Sequence, residues 1–427
     1  MPLTKVSDLA EINKKTWSPS SSEDSQVLHF SIPNYDLGEA FLEDSSTLKS
    51  NKNLISDPCV LVSKLNPSTP RIWLIESAPT HTAVSSTEFI ALRPKDPSDL
   101  LALYFALKSP RAVSRISEQA TGTSNSHQRV RPQDILDLDL ELAVDRIGLD
   151  LATNFLWSLE RKIALNKRIS ETLESIAQAL FRSRFVDFDP VRAKMAGEKP
   201  AGMDDATAAL FPDSMEESEL GEIPAGWEVA PTSELFDVGI GRTPPRKEPQ
   251  WFVNGGKGVP WVSIRDMGTY STYSGSTSED LTHEAVEKHR VSRVPAGTVL
   301  MSFKLTVGKL CIASTELTTN EAIAHFKIAN HSPLDSIYTF LWLRNFDFKS
   351  LDSTSSIATA TNSKVVKQIK FLVPSHEVLE HFTKIVEPLF LQLKTLQEQS
   401  DSLVEIRDTL LPRLISGELQ IPEDMVA

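Results

Sequence analysis

The sequence predicts a mixed α+β chain: two similar globular modules separated by two long helices that pair antiparallel as a coiled coil, the whole forming a pseudo-two-fold internal repeat. Three observations predict it. Two long stretches carry heptad-spaced apolar residues without the punctuation of loops. The blocks between them hold short β-rich runs such as RIWLI, TEFIAL, VPWVSI, GTVLMSF and KLCIAS, each bounded by turn residues. Finally, motifs of the first half recur in the same order in the second, at offsets of about 230–239 positions.

The chain divides into six parts: a first module over residues 1–150, a spacer helix over 151–190, an acidic linker over 191–226, a second module over 227–375, a C-terminal helix over 376–418 and a tail over 419–427. The first helix is expected from Leu151 to Phe185, since no Gly or Pro falls between Leu149 and Asp189 and Ala, Leu, Glu, Arg and Lys dominate. Stepping back from Leu180 by alternating fours and threes gives Ile176, Leu173, Ile169, Asn166, Lys162, Leu159 and Phe155, mostly apolar and on one face. Asn166 on that seam is either a register device, a buried amide seeking a partner, or the point where the stripe drifts toward solvent. The second helix is expected from Val378 to Ser416, with Leu396, Leu403, Ile406 and Leu410 among its seam positions. Pro388 and Pro412 should kink or break it, and Gly417 should end it. Between the helices, residues 186–226 are rich in Gly, Pro, Ser and acids without periodicity, as a linker would be.

The repeat rests on four pairings. VLVSKL (60–65) matches VLMSFKL (299–305), STEFIAL (86–92) resembles TNEAIAHF (319–326), ATGTSNS (120–126) resembles ATATNS (358–363), and LFRSRF (180–185) falls opposite LLPRLISGEL (410–419). Each is weak alone, but a common order and offset imply a duplication, at a period far longer than that of a solenoid.

Composition narrows the function. The 427 residues carry a net charge of −13, which by itself argues against binding phosphate. The charge is unevenly placed. Residues 198–222 contribute −7 and residues 376–427 contribute −6, whereas 223–375 sum to +2; residues 1–150 sum to −5. Only two cysteines occur, Cys59 and Cys311, which excludes a disulfide scaffold and a Cys-based zinc site and suits a reducing cytoplasm. No run of 18 apolar residues predicts a membrane span, and the N-terminal residues lack an apolar signal core. Catalytic motifs are missing: Gly255-Gly256-Lys257-Gly258 lacks the Ser or Thr of a P-loop, Gly239-Ile240-Gly241 lacks a third Gly, and neither GxSxG nor HExxH is present. No metal site and no cofactor are expected in this chain.

The segment LNKRISETLESIAQALFRSRFVDFDPVRAKMAGEKPAGM (165–203) resembles the central region of type I restriction–modification specificity (S) subunits. Further pieces follow in the order of that family: GEIPAGWEV (221–229), GRTPPRKEPQWF (241–252), VPWVSIRDMG (259–268), RVPAGTVLMSF (293–303), TNEAIAHF (319–326) and IRDTLLPRLISGEL (406–419). In the first half LKSNK, LVSKLNP, STEFIAL and GTSNSHQRV look like a first target-recognition domain. The resemblance implies a non-catalytic subunit that reads a bipartite asymmetric double-stranded DNA sequence, one half per recognition domain, with the paired helices setting the spacer. It also implies docking of two methyltransferase (M) subunits, which carry S-adenosylmethionine and methylate adenine, and of restriction (R) subunits.

Base readout needs Arg, Lys, Asn or Gln on exposed loops, and phosphate contacts add Ser, Thr and backbone amides. In the second module these types gather at Arg242, Thr243, Arg246 and Lys247, at Lys257 in its Gly-rich loop, at Ser263 and Arg265, and at Lys304. In the first they are Lys49, Asn51 and Lys52; Ser63, Lys64 and Asn66 at the strand end that repeats Ser302 and Lys304; and Asn125, Ser126, Gln128 and Arg129. Asn125, Ser126 and Gln128 could equally cap a turn or helix. Trp251, Trp261 and Phe303 are expected in the core rather than as wedges between bases. The alternative to DNA reading is a coiled-coil scaffold that assembles proteins, favoured by the −5 charge of the first module.

Overall fold

The computed structural model describes residues 3–21, 24–120, 128–143, 145–304, 306–348 and 366–421. It forms two compact units: residues 1–162 with 403–427, and residues 163–402. Each unit is a globular module together with the parts of the two long helices that lie against it.

In the first unit a four-stranded antiparallel sheet has the order Ala10–Ile12, Phe89–Pro94, Cys59–Ser63, Ile72–Ile75. The strand Cys59–Ser63 is buried along its whole length, so CVLVS needs no polar alternation. A second, five-stranded sheet holds Thr16–Trp17, Lys52–Ile55, Ala83–Ser85, Gln26–Phe30 and Phe41–Asp44 in that order. Leu3–Lys5 pairs with Asp139–Glu141, closing the module just before the central helix. The helix Leu100–Lys108 is buried on nearly every side, which is why LLALYFALK carries almost no polar face.

The second unit repeats this plan. Its antiparallel sheet runs Phe236–Ile240, Ile323–Ile328, Val299–Ser302, Leu310–Ile312, which is the same order with the same chain connections. Glu228–Pro231 pairs with Lys370–Val373 where the first module has its closing pair. In both modules the first closing strand runs directly into a four-residue helix, Val6–Leu9 or Thr232–Leu235, and then into the first sheet strand. The helix Ser336–Asn345 takes the place of Leu100–Lys108. The repeat extends to single hydroxyls. Ser63 and Ser302 are both fully buried. Ser63 Oγ donates to Leu65 O (3.2 Å) and accepts Arg71 N (2.9 Å); Ser302 Oγ donates to Thr306 O and accepts Lys309 N (3.0 Å). Each serine closes the hairpin that follows its strand.

The central helix spans Arg146–Phe185, 40 residues or about 60 Å at ~1.5 Å rise. It begins five residues before the expected Leu151 because Asp145 caps it: its carboxylate accepts Ile147 N and Gly148 N at 3.2 and 3.0 Å, which offsets the poor helix propensity of Gly148. The C-terminal helix spans His376–Ile415 without interruption, so the breaks expected at Pro388 and Pro412 do not occur. Both prolines face solvent, as do Lys384 and Asp408 four residues earlier, so water can satisfy the carbonyls that each ring frees. Gly417, at φ 76°, ends the helix in the left-handed conformation that the sequence assigned to it.

The helices pair antiparallel in each unit. In the first, Leu149, Ala152 and Leu156 share a core with Leu411, Leu414 and Ile415. In the second, Ala177, Phe181 and Phe185 share one with Phe382, Val386, Phe390 and Leu393. Three of the expected apolar seam residues are displaced by one position. Asn166 is fully buried, Leu396 is buried, and Leu159, Leu173, Leu180, Leu403 and Leu410 are half-buried. Ile169, Ile176 and Ile406, however, are exposed at 36, 44 and 43%. Their inward places belong to Ser170, Ala177 and Arg407. Asn166 Nδ2 meets Ser400 Oγ at 3.3 Å rather than a second amide, and its Oδ1 is left without a partner.

The segment 186–226, expected to be an unstructured linker, is folded into the second unit. It contains helices Asp189–Met195 and Asp205–Ala209 and a hairpin of Met215–Ser218 with Gly221–Pro224. Phe188, Phe211 and Ile223 join Trp227 in the core, and Lys194 Nζ donates to the carbonyls of Phe211 and Ala208. Aromatic docking holds this segment in place, so periodicity gave no sign of it.

Candidate nucleic-acid interface

The second module sorts its candidate residues into tethered and free. Arg242 donates to His289 O (2.8 Å), while its own carbonyl accepts Trp261 Nε1 (3.3 Å). Thr243 donates to Glu321. Arg246 pairs with Glu279 at 2.8 Å and lies over the rings of Phe252 and Trp261, 4.1 and 4.7 Å from their centroids. This loop is therefore preorganised, with its planar cation held against aromatic faces. Lys247 beside it is exposed and has no hydrogen-bond or ion-pair partner among the described residues. The aromatic residues are core, as expected: Trp251, Trp261 and Phe303 are each at most 5% exposed.

The Gly-rich loop departs from expectation. Its amides do not await a phosphate. Lys257 N and Gly258 N both donate to Asp280 Oδ2 at 2.9 Å, and Thr277 Oγ1 donates to Oδ1 of the same fully buried carboxylate. An internal anion fills the nest, and only the Lys257 side chain is left for an outside partner. Ser263 is also spent locally. It caps the short helix Ile264–Met267 in a reciprocal capping box with Asp266, whose carboxyl is held below its usual range against the opposing effect of burial by hydrogen bonds from Ser263 and Ser278. Arg265 on that helix is exposed and unpaired among the described residues. Lys304 is half-buried with Nζ 5.4 Å from the Phe303 ring centroid.

Two basic residues escaped the sequence reading. A Cβ at Gly268 would lie 2.7 Å from Lys309 Nζ and 3.0 Å from the Arg265 carbonyl, so Lys309 reaches the short helix that carries Arg265 although 44 positions separate the two residues. Arg290 sits next to the His289 carbonyl that anchors Arg242, in left-handed backbone (φ 52°), unusual for a residue with a side chain. That signal is conformational and invisible in composition.

In the first module Lys49 and Asn51 are exposed and free of side-chain partners among the described residues, but Lys52 is not. It is buried, its ammonium donates to Ser50 O and Oγ (3.0 and 2.8 Å), and desolvation lowers its pKa. Ser63 is closed in its turn. Lys64 Nζ donates to Thr87 O at 2.6 Å. Asn66 takes left-handed backbone (φ 52°) and its N donates to Gln128 O (3.2 Å), while Arg129 pairs with Glu88 at 3.1 Å. The fold thus gathers Lys64, Asn66, Gln128 and Arg129 at one strand end. Asn125 and Ser126 lie outside the described residues. Glu88 and its counterpart Glu321 each hold a polar loop at the start of the matching strand, but the loops differ: Arg129 follows the helix Leu100–Lys108 of its module, whereas Thr243 follows the first sheet strand of its own.

Lys247, Lys257 and Arg265 are cations of the second module whose side chains have no ion-pair partner among the described residues. Replacing all three with alanine should flatten the dependence of log K for duplex DNA on log salt. The slope falls by about 0.9 for each that contacts a phosphate, as measured by fluorescence anisotropy from 50 to 200 mM salt. An unchanged slope would remove this surface from the interface.

Among the described residues, no group of three or more His, Cys, Asp or Glu side chains is placed to hold a metal ion, and no helix is long and apolar enough to cross a membrane. Cys59 and Cys311 are buried thiols whose pKa burial pushes up to about 12.

The modules and their loops thus define a class of protein that comparison with known proteins makes explicit. Residues 224–405 match the model of the type I restriction modification DNA specificity domain. The HindI specificity subunit of Haemophilus influenzae is 27% identical over 413 residues, spanning 86% of this chain and 88% of that protein. The MjaIX specificity subunit of Methanocaldococcus jannaschii is 24% identical over 263 residues, 60% of this chain and 55% of that protein. The crystal structure of the type I S subunit from M. genitalium shares the fold, with a TM-score of 0.53 and 16% identity over 97% of this chain and 96% of that one. This chain is thus similar to type I restriction–modification specificity subunits over most of its length, and its residues 224–405 carry the match to their DNA specificity domain.

Proposed function

We propose that this chain is the DNA-sequence-recognition subunit of a type I restriction–modification complex, each of its two modules reading one half of a bipartite asymmetric target. The observation that carries this reading is the duplication itself: one sheet order and one buried hairpin serine, present twice. Two modules of one plan but different loop chemistry suit two half-sequences of different content. The chain supplies specificity and no chemistry of its own. Methylation of adenine would be the work of two methyltransferase subunits carrying S-adenosylmethionine, and cleavage that of restriction subunits. The exposed row Leu165, Ile169 and Ile176 on the central helix offers such subunits an apolar docking face. The acidic charge of residues 198–222 would keep that segment away from phosphate.

A scaffold that never touches DNA fits less well, because the matched DNA specificity domain covers the second module. The discriminating experiment exchanges residues 227–375 for the matching segment of a relative. The closing pair, with Glu228 opposite Val373, puts the two ends of that segment side by side, so the exchange leaves both junctions intact. In a complex co-expressed with its methyltransferase subunit, one half of the methylated sequence should change while the other half and the spacer persist. A change in both halves would contradict modular reading.

A further inference from the structure

Each module carries a cation in the last turn of its principal helix, Lys108 in the first and Arg344 in the second, 236 positions apart and so equivalent under the repeat. Both cations meet a carboxylate on the central helix. In the first unit Lys108 Nζ lies 2.5 Å from Glu160 Oε1, Tyr104 Oη donates to Glu160 Oε2 at 2.7 Å, and Arg407 of the C-terminal helix approaches at 3.4 Å. In the second unit Arg344 lies 3.1 Å from Glu174 Oε1, Thr272 Oγ1 donates to Glu174 Oε2 at 3.2 Å, and Gln178 Nε2 donates to Oε1 at 3.0 Å. Both carboxylates are largely withdrawn from water, with side chains 11 and 15% exposed. The cations are more open, Lys108 at 25% and Arg344 at 45%, so it is the shielded carboxylate with its second donor that makes the geometry exacting.

We propose that Glu160 and Glu174 are positioning residues that seat the two recognition modules on the central helix and thereby fix the number of base pairs tolerated between the half-sequences. The proposal rests on the recognition function above. The two carboxylates touch neither base nor phosphate in this role. They act through the modules they hold, and the network makes each seat specific: a helix-end cation and a second hydrogen-bond donor of the module meet one side chain of the rod. A seat that loses its charge leaves the module folded and held by its apolar contacts with the helix, but less sharply fixed at its outer edge. Spacing discrimination then weakens while base discrimination stays.

The test uses the full chain in its complex with the methyltransferase subunit and reads the genome-wide distribution of methylated sites. Glu174→Gln keeps the size of the side chain and an acceptor for Thr272 but removes the charge that holds Arg344. The same two half-sequences should be methylated, with sites one base pair longer or shorter in spacer rising by about tenfold or more. Arg344→Met, at a position where the side chain is 45% exposed, should do the same. The reversed pair Glu174→Arg with Arg344→Glu should restore one spacer. The proposal fails if the single variants keep wild-type spacer fidelity, if they alter a half-sequence, if they abolish methylation in a complex that melts as the wild type does, or if the reversed pair does not rescue. A wild-type complex that methylates no bipartite sequence would overturn the recognition function instead, so the two failures are distinguishable.

Discussion

Phe181→Ala should destabilise the second unit by about 3–5 kcal/mol, the cost of emptying a fully packed aromatic site. Phe181 is completely buried, and its ring centroid lies 5.1 Å from that of Phe185, 5.2 Å from Tyr338, 5.9 Å from Phe382 and 6.4 Å from Trp342. Those partners come from the central helix, the module helix Ser336–Asn345 and the C-terminal helix, so one truncation loosens three elements together. The loss combines transfer of the ring with a cavity that neighbouring aromatic rings cannot collapse to fill. Urea unfolding followed by circular dichroism measures it. The control is Ile176→Ala on the same helix. Heptad spacing puts Ile176 on the seam, but it is 44% exposed, and its truncation should change stability by less than about 0.5 kcal/mol in the isolated chain. Equal losses at the two positions would contradict the seam described above.

Asp280→Ala should cost about 3–5 kcal/mol by a different route. The carboxylate is wholly buried and accepts from Lys257 N, Gly258 N and Thr277 Oγ1. Removing it strands two backbone donors and a hydroxyl, and each unsatisfied buried group costs about 1–3 kcal/mol, some of which water entering the loop would recover. The loop is too tight to repack, since a side chain at Gly255 would strike the Thr277 carbonyl. Lys257→Ala, in contrast, should leave the melting temperature within about a degree or two while lowering affinity for DNA. Thermal unfolding of the two variants separates the roles: stability belongs to the carboxylate, and DNA attraction to the lysine side chain. A melting temperature unmoved by Asp280→Ala would show that the nest is not held from within.

These two residues also show where the sequence could be read and where it could not. The long helices were legible because heptad-spaced apolar residues need no distant information. Which of two adjacent rows faces inward was not, since Ser170 and Ala177 are small and score poorly for hydrophobicity, while Ile169 and Ile176 score well and face solvent. Close approach of two helices favours the small residues. Pro388 and Pro412 read as breaks, yet a proline on the wet face of a helix frees only a carbonyl that water can satisfy. The duplication was visible from VLVSKL and VLMSFKL, and its cause, a serine that must close a hairpin from inside the core, came only with coordinates. The candidate interface was legible as residue types and not as roles. Arg242 and Arg246 look like free cations until His289 and Glu279 arrive from 47 and 33 positions away. Lys257 looks like part of an anion-binding loop until Asp280, 23 positions on, occupies it. Tethers of that length leave no trace in local composition.

The central claim is that one chain reads two separate half-sequences. It is tested most directly by co-expressing the wild-type chain with its methyltransferase subunit in a methylation-free host and mapping methylated adenine across the genome. The account predicts a single asymmetric bipartite sequence, with two different specified halves, a spacer of fixed length and unspecified content, and one methylated adenine in each half. Methylation confined to one uninterrupted sequence, or absent in the presence of an assembled complex, would contradict it.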